Sequence, residues 1–447
     1  MLVKGFRGSD VFGYLDFKID FHKDVSFLVG MNGSGKTTAL KLMNALVTPN
    51  FKELVKIPFS RISLILNDAG KDIEIWCETE GNEKTLGISG TLESIRFSAF
   101  NSVESTFYSH HEEKIDEVVE ELNRKFMHHP VIETISKIKS PIFLGLDRRS
   151  NEIRNNGSDY YYERQLWYSK KKALSNPQRL ITGSLGTSLM ETELLVQNTY
   201  RRIRDLEQKQ SGRLRDSILL SAFQYHDMET TNLDGKVDGI NNWREKQGLI
   251  KRQNEIKEAL TNIGLKNSSL SIEVDKFFNK ITDLFEQLQS MDKGLSVEWL
   301  LNKAQIERMS KLVEIIDEHN TKIENLFNPI NNFINTINSF YEDSRKRLIV
   351  NTVGQLIVIR PDGQECTIEG LSSGERQLLI IFAHAFFNRN SGNAVFIVDE
   401  PELSLHLGWQ DKFTETIFGI KQGSQFILAT HSPEIVGVHK NKSVKCR

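Results

Sequence analysis

Apolar and polar positions change rhythm along this chain, and the changes outline its organisation. From residue 1 to about 80 the period is two. Residues 14–21 alternate apolar and polar as a half-buried strand does, and residues 61–66 and 71–76 flank Asp68-Ala69-Gly70 as the arms of a hairpin. Residues 25–29 form a short continuous apolar run, and a helix is predicted over 36–46. Helical spacing returns over 111–127 through Ile115, Val118, Val119, Leu122 and Phe126. Residues 141–146 read as a buried strand ending in Asp147-Arg148-Arg149.

From about 191 to 345 the pattern is helical. Two stripes, Val274, Phe277, Ile281, Leu284, Leu288, Met291 and Ile323, Leu326, Ile330, Phe333, Ile337, Phe340, step by three and four. That spacing predicts a packed helical hairpin or short coiled coil, with Pro329 kinking or restarting the second helix. Each stripe covers few heptads, so a stubby helical domain is expected. Beyond 345, strands at 355–359 and near 367–368 flank the Pro361-Asp362-Gly363 turn. Helix 374–389, strand 394–398, helix 408–419 and strand 425–430 then alternate as in a parallel sheet covered by helices. The prediction is an α/β fold in which 1–190 and 346–447 form two halves of one head and 191–345 is inserted between them.

Composition changes this picture little. The chain has 447 residues, 39% hydrophobic and 26% charged, with a formal charge of −2. That is an ordinary globular balance with no overall attraction to nucleic acid. Cys77, Cys366 and Cys446 are far apart and lack metal-site spacing. With no apolar run of the ~20 residues a membrane span needs, the chain reads as cytosolic, without a membrane partner. The polar stretch 150–187 carries Tyr160, Tyr161, Tyr162, Trp167 and Tyr168 beside Lys170, Lys171 and Lys172. It fits either nucleic-acid contact or a solvated loop.

Chemistry enters directly after the apolar run 25–29. Residues 30–38 read Gly-Met-Asn-Gly-Ser-Gly-Lys-Thr-Thr, a G-x-x-x-x-G-K-T loop between strand and helix. Gly30, Gly33 and Gly35 let backbone N–H groups cradle phosphates at a helix N-terminus, with Asn32, Ser34 and Thr38 in the same loop. Lys36 would pair with the β- and γ-phosphates of ATP, and Thr37 would hold Mg2+. Far downstream come Leu371-Ser372-Ser373-Gly374-Glu375, then Asp399-Glu400 ending an apolar strand, then His431 after another. Asp399 would support Mg2+, Glu400 would activate the attacking water, and His431 would sense the γ-phosphate. Ser372 is first an N-cap, with Glu375 completing a capping box. The same capped terminus could take a γ-phosphate offered by a second subunit.

Together these pieces resemble the ABC-type ATPases on the SMC, RecF and OLD-like branch, with residues 30–37 matching Walker A, 371–375 the signature, 395–400 Walker B and His431 the switch histidine. Residues 401–410 resemble the D-loop region of OLD-like ATPases, with Leu407 in place of a proline and Ser373 where many relatives carry glycine. The resemblance covers about 1–95 and 346–438. Region 95–112, where a Q-loop glutamine would fall, contains none. With only 16 residues after His431, no OLD-family nuclease domain is expected. The resemblance implies a homodimer or higher homo-oligomer with composite ATP sites, in which Ser372 and Gly374 of one protomer touch the nucleotide of the other. It also implies a sensor and scaffold for a separately encoded effector, a nuclease, like the stand-alone ATPases of the Septu, retron-associated and PARIS anti-phage systems. A RecF-like DNA-binding repair ATPase remains the alternative.

Overall fold

Period-two alternation near the N-terminus becomes real strand pairing. The computed structural model describes residues 1–98, 111–144, 184–223, 252–262, 297–387, 394–420 and 423–446, with Ile272, Asp275, Lys276, Phe278, Asn279 and Thr282. β1 (Leu2–Val11) and β2 (Leu15–Asp20) pair antiparallel, whereas β3 (Val25–Val29) leaves for a second sheet. β4 (Arg61–Asp68), β5 (Lys71–Glu80), β6 (Glu83–Ile88) and β7 (Ile95–Ser98) complete an antiparallel sheet in the order β2-β1-β4-β5-β6-β7. The β4–β5 connection is the expected hairpin. Asp68 pairs with Lys71, and Ala69 and Gly70 both take positive φ (49° and 85°), the backbone that a two-residue turn between twisted strands requires.

Helices α1 (Lys36–Val47), α2 (Phe51–Lys56), α3 (His111–Phe126) and α4 (Pro130–Lys137) lead to β8 (Ile142–Leu144). Then follow α5 (Ser184–Phe223), α6 (Gln253–Asn262) and α7 (Val297–Tyr341). The small sheet β9 (Arg347–Val350), β10 (Leu356–Ile359), β11 (Glu365–Thr367) precedes α8 (Ser373–Phe387), β12 (Val395–Asp399), α9 (Leu407–Ile420), β13 (Gln425–Thr430), α10 (Pro433–Val436) and β14 (Ser443–Lys445). The second large sheet, β14-β3-β13-β12-β8, is parallel at every pairing. It is the α/β core that the alternating C-terminal pattern predicts.

One hydrophobic core unites the two large sheets around α1, with Phe6, Phe17, Leu40, Leu46, Leu64, Ile397 and Ile427 all buried. Gln425 ties the layers by hydrogen bonds. Its amide accepts from the Val3 N–H at 2.7 Å and donates to the carbonyls of Val3 and His22, both at 2.7 Å. On the other side α8 is apolar around most of its circumference and is buried accordingly. Its Phe382 lies against Phe340 and Phe413, with ring centroids 5.3 and 5.7 Å apart.

The chain divides into one compact unit of Met1–Asn198 with Phe333–Arg447 and another of Thr199–Asn332. The second has its own small core of Leu214, Ile256, Ala259, Phe278, Val313 and Ile316. Its helices correct the expectation of a stubby domain. Of the 40 residues of α5 and the 45 of α7, 199–223 and 297–332 lie in this unit, 25 and 36 residues, about 38 and 54 Å of helix at 1.5 Å per residue. Nor does the helix restart at Pro329, which lies inside α7. The carbonyl that proline leaves without a donor is that of Asn325, and both residues are exposed, so water can satisfy it. Ile330, Phe333, Ile337 and Phe340 of the expected stripe are buried, while the stripe 274–291 lies outside the described residues. So do 145–149, the Q-loop region from 99 to 110, and 150–183 of the polar stretch, whose last residues, 184–187, are helical. Among the described residues no helix is long and apolar enough to cross a membrane.

Candidate functional site

The glycine-rich loop is built by steric exclusion. Gly33 and Gly35 take φ of 79° and 88°, left-handed backbone that glycine enters without cost. A Cβ at Gly35 would stand 2.8 Å from the Phe17 ring, and one at Gly30 would stand 2.5 Å from Ser34 Oγ. Among the described residues no atom lies within 4 Å of a Cβ added at Gly33. The loop delivers the chain into α1, whose first N–H groups have no acceptor within the helix. Thr37 and Thr38 lie half-buried on that first turn, and Asn32 is exposed at the loop's tip. Ser34 Oγ is buried and has no hydrogen-bond partner among the described residues. An oxyanion could be held by these features.

Lys36 is buried at the start of α1 and folds back over the loop, its Nζ 2.9 Å from the Gly30 carbonyl and 3.3 Å from His431 Nδ1. Burial pulls its ammonium below the ordinary lysine value, against the opposing pull of neighbours that include Asp399, Glu400 and Glu402. The sheet explains why these groups meet. β13 lies between β3 and β12, with Thr430 opposite Val29 and Ala429 opposite Asp399. All three strands therefore end together on the P-loop side. At that edge Asp399 is fully buried. Glu400 turns the chain with φ 48° while its N–H donates to the Ala429 carbonyl at 2.9 Å. One buried carboxylate close enough to act on the Lys36 charge suits Mg2+, which binds few protein oxygens and completes its shell with water and phosphate. Among the described residues no group of three or more His, Cys, Asp or Glu forms a protein-only metal cage.

The signature residues make their contacts elsewhere. Ser372 and Glu375 form the expected reciprocal box. The Ser372 N–H donates to Glu375 Oε2 at 2.7 Å, and Ser372 Oγ accepts from the Glu375 N–H at 3.3 Å. Burial pushes the Glu375 carboxyl up, but Lys346 Nζ at 2.7 Å and the Ser372 and Ser344 hydrogen bonds hold it below the usual range. Gly374 packs so closely on the D-loop segment that an added Cβ would be 2.4 Å from the Ser404 carbonyl oxygen.

Three residues were not assigned roles by sequence reasoning. Gln377 donates from Nε2 to the Pro401 carbonyl at 2.8 Å, and Glu402 Oε1 accepts from the His431 N–H at 2.7 Å. Gln410 donates to the Leu405 carbonyl at 2.7 Å and accepts from the Ser432 hydroxyl at 2.6 Å. A glutamine inside the apolar run of α8 was the available signal for Gln377.

Residues 1–436 match the AAA ATPase domain family, and the chain belongs to that family. A curated relative, "Retron Vc95 probable ATPase" of Vibrio cholerae serotype O1 biovar El Tor, is 21% identical over 300 residues. That match takes in 62% of this chain and 55% of the relative, about half of the relative's length. Solved structures that align with the chain include the Smc head domain of Pyrococcus furiosus with an extended coiled coil, bound to the C-terminal domain of ScpA. It is 13% identical with TM-score 0.41, over 97% of this chain and 91% of that one. The SMC head domain of Thermotoga maritima is 10% identical with TM-score 0.36, over 98% and 91%. The fold assignment rests on the sheet topology and the family match.

Proposed function

We propose that this AAA ATPase holds ATP and Mg2+ on the 30–38 loop and that a second copy of the chain completes the site with Ser372 and Gly374. The observation that carries the reading is the 3.3 Å approach of Lys36 Nζ to His431 Nδ1 across 395 residues of sequence, beside buried Asp399. Backbone N–H groups of Gly33 and Gly35, the hydroxyls of Ser34 and Thr38, and Asn32 surround the phosphates. Lys36 neutralises charge on the β- and γ-phosphates, and Thr37 and Asp399 hold the ion. Mg2+ supplies positive charge to the phosphate oxygens. Glu400 orients and deprotonates the attacking water, and His431 contacts the γ-phosphate. Hydrolysis then loosens the joint between the two copies.

The resemblance to the retron relative supports a role in anti-phage defence, and the location that goes with this reading is the cytosol. There the ATPase would act as sensor and scaffold for a separately encoded effector, a nuclease. The test is direct. Glu400→Gln should slow turnover by roughly 10²–10⁴-fold, retain ATP and double the mass in solution. Lys36→Ala should abolish nucleotide binding. A Glu400→Gln protein that stays monomeric with saturating ATP and Mg2+ refutes the composite site, and undiminished ATP affinity in Lys36→Ala refutes the loop's role. Tight DNA binding with a steep salt dependence would instead favour a DNA-binding repair ATPase.

A further inference from the structure

β13 ends at Thr430, so the next N–H, that of His431, has left the ladder of the parallel sheet. A backbone donor at such a place needs another acceptor. The acceptor is Glu402 Oε1, at 2.7 Å. The ring of His431 meanwhile reaches Lys36 Nζ at 3.3 Å. The histidine is thus pinned at its backbone by one residue and touches the phosphate-binding lysine with its ring.

Glu402 is itself held. It lies on the short segment 400–405, which leaves β12 through two residues with positive φ, Glu400 (48°) and Ser404 (65°). The turn is closed by the Leu403 N–H to the Glu400 carbonyl at 3.1 Å and the Leu405 N–H to the Glu402 carbonyl at 2.9 Å. Two contacts from α8 fix it from the other side. Gln377 Nε2 donates to the Pro401 carbonyl at 2.8 Å, and Gly374 leaves no space for a side chain against Ser404. Non-glycine residues in left-handed backbone are strained and persist only where their surroundings hold them.

We propose that Glu402 is a positioning residue for ATP hydrolysis. Its carboxylate sets the backbone of His431, and Gln377 sets the segment that carries Glu402. Both contacts lie within one protomer, so the helix that begins at the signature motif bears on the same protomer's γ-phosphate histidine. This inference rests on the nucleotide site proposed above. A backbone N–H is a donor at every pH, and a side-chain amide oxygen accepts from it as a carboxylate oxygen does. The contact therefore needs an acceptor at this position and not a negative charge.

The experiment is steady-state ATPase kinetics on Glu402→Ala, Glu402→Gln and Gln377→Met, with nucleotide affinity and melting temperature measured alongside. Wild type and Lys36→Ala serve as references. Glu402→Ala should lower kcat by about 10- to 100-fold, the loss that a misplacement near 1 Å produces, with KM and ATP affinity within about twofold of wild type. Glu402→Gln should restore kcat to within about fivefold, and Gln377→Met should show a smaller fall in kcat at unchanged KM. A Glu402→Gln protein as slow as Glu402→Ala overturns the proposal, because the charge itself would then be required. Wild-type kcat in Glu402→Ala or in Gln377→Met overturns it too. If Glu402→Ala fails to fold, a Glu402→Gln kcat more than about tenfold below wild type, or a wild-type kcat in Gln377→Met, overturns the proposal. A wild-type protein with no Lys36-dependent hydrolysis would instead defeat the site assignment beneath the proposal.

Discussion

Gly374→Ala is the sharpest test of the packing between α8 and the D-loop segment. The added methyl would stand 2.4 Å from the Ser404 carbonyl oxygen, and Cβ atoms do not approach a neighbour closer than 3.0 Å. Backbone must therefore retreat by about 0.6 Å, because the obstacle is not a side chain that can swing away. Overpacking of this kind costs about 1–3 kcal/mol, and the helix propensity gained on replacing glycine offsets at most ~1 kcal/mol of it. A net loss of about 1–2 kcal/mol should lower the melting temperature by several degrees at 2–4 °C per kcal/mol for a unit of this size. Measured without nucleotide, this loss is independent of any part Gly374 plays in touching a second copy's ATP. Gly419→Ala is the control. It lies inside α9, where an added Cβ meets no described atom within 4 Å, so that variant should be neutral or stabilised by up to ~1 kcal/mol. Differential scanning calorimetry of the two variants compares them, and turnover should fall by on the order of tenfold in Gly374→Ala alone. Equal melting temperatures and equal rates in the two would refute the packing argument.

Two further outcomes follow from buried polar groups away from the site. Gln425→Leu removes the acceptor of the Val3 N–H and the donor of the Val3 and His22 carbonyls, so urea denaturation should show a loss of about 2–4 kcal/mol; a loss under ~1 kcal/mol would mean that Gln425 does not hold the two sheets together. Lys84 is buried, donates to the Leu54 and Ile57 carbonyls at 2.6 and 2.7 Å, and is pushed down by burial to about 8. Its folded value lies below its unfolded one, so the unfolded chain binds more protons between about pH 8 and 10.5, and stability gains from this group as pH rises through that window. The stability of wild type relative to Lys84→Met should therefore improve by up to ~2–3 kcal/mol from pH 8 to 10, and a constant difference would show that Lys84 stays charged in its buried position.

Much of the nucleotide-binding unit was legible because its signals are local. The β4–β5 hairpin is written in alternation and an Ala-Gly turn, and the P-loop in glycines between strand and helix. The capping box of Ser372 and Glu375 is written in two residues three apart, and its hydrogen bonds are present. What stayed hidden depends on partners remote in sequence. Lys84 sits in an alternating strand, where a lysine reads as solvent-facing, yet its acceptors are carbonyls at the end of α2, 27 and 30 residues away. Gln425 reads as a polar start to an apolar strand, but its partner Val3 lies 422 residues away. At Pro329 only the restart failed, and for the opposite reason. The local rule was sound, but the carbonyl it freed faces water, so the helix went on. Glu402 is hidden within the 401–410 segment, because its acceptor oxygen finds a donor only after β13 has been laid beside β12. These cases share one cause. A buried polar side chain must answer a backbone group, and which backbone group goes unanswered is decided by where strands and helices end against one another. At the nucleotide edge three parallel strands end together, so unanswered groups concentrate there, and so do the side chains that answer them. Glu402, Gln377 and Gln410 are for that reason better guides to how the site is held in register than the residues of the glycine-rich loop, whose turn is written locally in Gly33 and Gly35.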